Sequence, residues 1–201
     1  GTAVTAVPNT GYHFVDWSDA STTNPRTDAN VTANISVTAN FAINTYTLTY
    51  TAGANGTLTG TTPQTVNHGG SGTQVTAVPN AGYHFVNWSD ASTTNPRTDV
   101  NVTGNISVTA TFALNTYQLT VTSTTGGTIT APSSSPATVD HGVATTITAV
   151  ATAGYTFTGW TVVSGSASIA TPSALSTTAT LTSGDAAVRA NFTLNTYQLT
   201  V

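Results

Sequence analysis

The side chains best suited to contact a ligand recur in one setting. Trp17, Trp88 and Trp160 each stand three residues after a Phe, in Gly-Tyr-x-Phe-x-x-Trp. An exposed indole there would stack on a sugar ring, while a buried one would anchor the core of a small module. Asp90 and Asn95 lie in the polar loop that follows Trp88, and with the three Trp they form the candidate ligand-contact set. His13, His68, His84 and His141 are spread singly, whereas a metal site needs several ligands converging at fixed spacing. His84 is replaced by Thr156 in the third copy of the motif, and His68 and His141 precede Gly in equivalent loops, where a loop hydrogen bond is expected. Asp99, Asn101 and Asn105 lack the dense carboxylate spacing of a calcium loop. Asp28 and Asp99 sit two residues after Arg26 and Arg97, and local pairing and turn capping are expected of them. No Gly-x-Ser-x-Gly elbow occurs, and paired-carboxylate chemistry would have only Asp to use. No catalytic residue, cofactor or metal is assigned, and the chain is read as a non-enzyme.

Composition narrows the partners. Three Arg face seven Asp, Lys, Glu, Cys and Met are absent, and roughly a quarter of the 201 residues are Thr. Nucleic-acid binding needs clustered cations to displace counterions from phosphates, and three isolated Arg do not supply them. No apolar run approaches the roughly 20 residues of a membrane-spanning helix. Without Cys, disulfides and thiolate metal sites are excluded. Thr and Val carry two heavy atoms on Cβ, which favours pleated strands. Helices are not expected, because Glu and Lys are missing and Leu and Gln are few.

The elements that would position these residues come in repeats. Residues 1–46 and 72–117 differ at seven positions, with an offset of 71 residues. A third copy is more diverged: Gly154–Trp160 answers Gly82–Trp88, and 187–201 echoes 107–121. Tyr46, Tyr117 and Tyr197 open successive copies, spaced by 71 and 80 residues. The expected divisions are the C-terminal part of a truncated repeat at 1–45, complete repeats at 46–116 and 117–196, and the first strand of a further repeat at 197–201. Both ends thus fall inside a repeat, which suggests a longer parent protein.

Within one repeat, Tyr46–Tyr50 alternates apolar and polar residues, the period of a half-buried strand. Asn55-Gly56 predicts a hairpin turn returning through Thr57–Thr61. Strands are expected at Thr73–Val78 and Tyr83–Trp88, with the loop Ser89–Pro96 after them. A second hairpin is expected from Thr98–Thr103 and Ile106–Ala113. Ile106, Val108, Ala110, Phe112 and Leu114 share one face, but Tyr117 has the opposite parity. The buried face therefore switches across Asn115-Thr116, as if one extended segment leaves a module and enters the next. With no Gly or Pro between them, such modules are expected to form a stiff, extended rod.

Gly11, Tyr12, Phe14 and Trp17 and their two sets of counterparts, with the opening Tyr-x-Leu-Thr strand and the closing Phe-Ala or Phe-Thr strand, carry a family likeness. Over nearly the whole chain the pattern resembles the internalin-type B-repeat (Listeria–Bacteroides repeat) superfamily, closest to its divergent branch. That resemblance implies a β-grasp-like module of large bacterial surface and secreted proteins, with no catalytic residue. Lacking a segment that reads as helix, the chain is expected to be all-β, with tandem sandwich-like or β-grasp-like modules of about 70–80 residues. The expected role is a structural stalk or spacer of an extracellular or cell-surface, adhesin-like protein. The competing expectations are a carbohydrate- or host-protein-binding module and the subunit of a self-assembling extracellular filament. Expected partners are neighbouring repeats of the same chain, with self-association or a surface glycan or protein as the others, and neither nucleic acid nor membrane insertion.

Overall fold

A computed structural model describes residues 1–201. Every regular element is a strand. The chain divides into two compact units: Gly1–Val78 with Phe85–Phe112, and Pro79–His84 with Ala113–Val201.

Strands β1 (Tyr12–Trp17) and β2 (Ala39–Ile43) form an antiparallel pair in the first unit. The second repeat begins with β3 (Thr45–Ala52), β4 (Gly56–Thr59) and β5 (Gln64–Asn67). It continues through β6 (Thr76–Pro79), β7 (Tyr83–Trp88) and β8 (Ile106–Leu114). Its main sheet has the order β5-β3-β8-β7, and β4 pairs with β6 in a small second sheet. The first and last strands of the repeat, β3 and β8, thus lie side by side and parallel, Leu48 against Ile106 and Ala52 against Ala110. The alternation read from the sequence sets the buried face: Val108, Ala110 and Phe112 of β8 join Leu48 and Tyr50 of β3, Val75, Ala77 and Trp88 in one core.

The other unit repeats this plan with β9 (Thr116–Ser123), β10 (Gly127–Ala131), β11 (Ala137–Asp140) and β12 (Thr145–Ala151). Strands β13 (Tyr155–Ser164), β14 (Ala167–Ile169), β15 (Ser176–Leu181) and β16 (Ala186–Leu194) complete it. Sheets β11-β9-β16-β13 and β10-β12-β15-β14 both contribute to a single core around Leu119, Ile147, Leu181 and Val188, a sandwich-like packing. The all-β expectation holds, and no β-grasp helix is formed.

Two local expectations are corrected. The Asn55-Gly56 turn forms, with Asn55 at φ +70°, but the strand after it does not return along β3. The Tyr50 amide donates to the Thr62 hydroxyl and that hydroxyl donates back to the Tyr50 carbonyl, so β3 takes β5 as its antiparallel neighbour. Gly56 lies on the Phe112 ring, which carries β4 over the core to β6.

The hairpin expected of Thr98–Thr103 and Ile106–Ala113 is also absent. The backbone groups of the former segment bond to the His68–Gly72 loop instead: Gly69 N–H to Val102 O, Gly72 N–H to Asp99 O and Val102 N–H to Gly70 O. A ladder with β8 would leave those loop groups without partners. In the third repeat the corresponding stretch does become a strand, β15, paired with β12.

Candidate functional site

The conspicuous cluster of the second repeat is built around Trp88, at the end of β7. Its ring is 0% exposed and its indole N–H donates to the Thr94 carbonyl over 3.0 Å. The loop Ser89–Pro96 is thereby folded back over the ring that precedes it. Asn95 fastens the same loop to β6, accepting from the Ala77 amide and donating to the Ala77 carbonyl, each over 2.8 Å. An Asn side chain reproduces the donor–acceptor pair of a strand neighbour and so stands in for a missing rung.

Arg97 follows that loop and sits over the Trp88 ring, its guanidinium carbon 5.7 Å from the centroid. Its Nε and Nη2 grip both oxygens of Asp99 over 2.8 and 2.7 Å, and Nη1 donates to Asp90 over 2.7 Å. The planar fork suits a bidentate carboxylate, which is why Arg rather than Lys fits here. The Tyr50 hydroxyl donates to Asp99 over 2.6 Å, and its ring meets Trp88 edge-on at 5.9 Å. Arg97, beside Asp99, holds that carboxyl below the usual carboxylate range, with Tyr50 adding a further hydrogen bond. For Asp90, burial pushes the carboxyl up, but the hydrogen bond from Arg97 and the Ser92 amide overcome this and leave it lowered. Burial, helped by the Asp99 carboxylate, pushes the Tyr50 phenol well above its ordinary value.

Chemically the cluster is closed. Each carboxylate is paired with Arg97, and no buried side-chain nitrogen or oxygen lacks a partner. No group of three metal-ligating side chains is gathered anywhere in the chain. The arrangement can clamp a loop and a strand to a core.

The first repeat has the same clamp without the tyrosine. Trp17 donates to the Thr23 carbonyl, Asn24 pairs with Ala6, and Arg26 bridges Asp28 and Asp19. In the third repeat Trp160, paired with the Ala174 carbonyl, keeps its place, but β15 replaces the charged loop and no Arg–Asp pair is formed. The three indoles are 6%, 0% and 4% exposed for Trp17, Trp88 and Trp160, so none offers a bare face. Asp90 is half-exposed and held by Arg97. The structure thus brings Trp88, Asp90 and Asn95 together, and Trp17 and Trp160 belong to the equivalent places of the other repeats.

The histidines fall into two sets. His13 and His84 pair with Asn44 and Asn115 over 2.8 Å, and Thr156 does the same work with Asn195. His68 and His141 lie against Tyr46 and Tyr117, ring centroids 6.0 Å apart. Sequence reasoning missed Tyr50 as the closing member of the clamp and the Asn of each Asn-Thr-Tyr as an anchor. The recurrence of that Asn at 44, 115 and 195 was the available signal; Tyr50 had none, since Val121 replaces it in the next repeat.

A family model described as the divergent InlB B-repeat domain matches residues 1–45, 46–116 and 117–196. No solved structure matches the chain.

Proposed function

Because the chain belongs to the divergent InlB B-repeat family, we propose that it is a non-catalytic structural segment, an extended spacer of a bacterial surface or secreted protein. The family is a repeat module of surface and extracellular proteins. The segment serves as a stiff stalk in an adhesin-like protein. Its partners are the neighbouring repeats of the same chain.

One observation carries it. Between β2, the last strand of one repeat, and β3, the first of the next, stands a single residue, Asn44. The amide of Asn44 donates to Gly11 in the repeat behind it, and its carbonyl accepts from His68 in the repeat ahead. A connection one residue long, with both backbone groups bound, leaves no slack for a flexible linker. The self-satisfied clamp around Trp88, with both of its carboxylates paired to Arg97, fits the same role.

Small-angle scattering of chains with two, three and four repeats tests the reading. A constant increment in maximum dimension per added repeat supports a spacer. Growth as the square root of repeat number, as for beads on a flexible string, overturns it.

A further inference from the structure

We propose that the Gly-Tyr turn of each repeat is a docking seat for the His-Gly loop of the repeat that follows, and that Gly154 is shaped to take a third such loop. The proposal goes beyond the spacer reading, because it names the surface and the side chains by which repeats recognise one another and holds wherever the array is used.

The seat is occupied twice. Gly11 and Gly82, both at φ +83°, lie directly under the imidazoles of His68 and His141. A Cβ on Gly11 would stand 2.3 Å from His68 Cδ2 and one on Gly82 2.4 Å from His141 Cδ2, closer than any real contact. Glycine is thus required for the positive φ and again for the close approach. Each imidazole also meets a tyrosine: Tyr46 Oη lies 3.4 Å from His68 Nδ1, with 3.3 Å for Tyr117 and His141. The ring thus touches a bare backbone and a tyrosine hydroxyl at once.

The backbone around the seat is equally repetitive. The Asn44 amide donates to Gly11 O and the His68 amide to Asn44 O, both over 2.8 Å. The Asn115 amide donates to Gly82 O over 2.8 Å and the His141 amide to Asn115 O over 2.9 Å. In the third repeat the Asn195 amide donates to Gly154 O over 2.8 Å, and Gly154 keeps φ +87°, but nothing lies within 4 Å of where its Cβ would be. Tyr197, the counterpart of Tyr46 and Tyr117, is exposed.

The occupant that fits is the His-Gly loop of a further repeat of this type. Asn195–Val201 reads Asn-Thr-Tyr-Gln-Leu-Thr-Val, identical to Asn115–Val121, the segment that leads to His141. An imidazole arriving there would meet the same bare Cα and the same tyrosine.

The test uses urea unfolding of the full chain and its variants. Gly154→Ala carries the positive-φ penalty alone, whereas Gly82→Ala carries that penalty plus the collision with His141. The unfolding equilibrium is expected to shift at least about fivefold further for Gly82→Ala. In a His141→Ala background the Gly82→Ala effect should fall to that of Gly154→Ala. If Gly82→Ala does not fold, recovery of folding in the double variant supports the seat. Equal effects of the two glycine variants, or a Gly82→Ala defect that His141→Ala leaves unchanged, overturn it. For the seat at Gly154, residues 122–196 are appended after Val201 to give a further repeat. Gly154→Ala should then become as damaging as Gly82→Ala, and an unchanged Gly154→Ala effect contradicts the proposal.

Discussion

The Tyr50 hydroxyl donates to Asp99 over 2.6 Å, joining the opening strand of the second repeat to a segment 49 residues further on. Asp99 is already gripped by Arg97, and Arg97 lies over Trp88. A phenol, a carboxylate, a guanidinium and an indole thus form one continuous clamp. Strand, loop and core share a single electrostatic fastening, and its consequences are measurable.

The clamp sets a pH window. Asp99 has its folded value depressed, so its stabilisation is present above the usual carboxylate range and lost as pH falls through that depressed value. Tyr50 has its folded value raised, so its stabilisation is present below its ordinary value of about 10 and lost as pH rises above it. Urea midpoints recorded across pH should decline on both sides. Tyr50→Phe should flatten the alkaline decline, and an unaltered alkaline limb would show that Tyr50 is not its source.

Arg97→Ala leaves two carboxylates without their cation and uncovers Trp88. A loss of about 3 kcal/mol is expected. Arg97→Lys should recover little, because an ammonium cannot make the two-pronged contact with Asp99. The same change at Arg26, whose clamp has no tyrosine, should cost less. Paired denaturation curves decide the matter, and an equal cost at the two positions would contradict the role given to Tyr50.

Trp88→Ala empties a fully enclosed site, with an expected cost of about 3–5 kcal/mol. In the folded chain the three indoles should resist quenching by iodide and regain sensitivity on unfolding. Free monosaccharides should leave their emission unchanged. A saturable change in emission with a sugar would favour the ligand-contact reading of Trp17, Trp88 and Trp160.

Two nearly identical sequences should exchange amide hydrogens at different rates. Val4 is 57% exposed against 0% for its counterpart Val75, and Val31 is 53% against 2% for Val102. In the complete repeat Val75 and Val102 share a core with Leu48 and Tyr50 of β3 and Val66 of β5. Exchange in residues 1–43 should outpace that in 72–114 by at least an order of magnitude. Equal protection would mean that burial by β3–β5 is not what stabilises the motif.

Much of this was legible in the chain. β7 begins and ends where the Tyr-x-Phe-x-x-Trp pattern places it, and the parity of Ile106 to Phe112 gave the buried face of β8 correctly. Period and repetition are local properties, and a sequence displays them. Strand partnership was misread, because the neighbour of β3 is chosen by Thr62 and β8, 12 and 58 residues away from Tyr50. The segment Thr98–Thr103 has strand-like composition, yet its backbone groups are claimed by the His68–Gly72 loop. For the site, the Asp–Arg pairing was visible as an i, i+2 spacing. The Tyr50 contact and the His–Gly seats join distant positions, and no local pattern encodes them.

Coupling between successive repeats is measured by the thermal unfolding of residues 46–116 alone against that of the full chain. A repeat of that size without disulfides has a small core, and it gains from neighbours whose backbone groups bind its own. The isolated repeat should melt well below the 201-residue chain. Equal melting temperatures would contradict the coupling and with it the spacer built upon it.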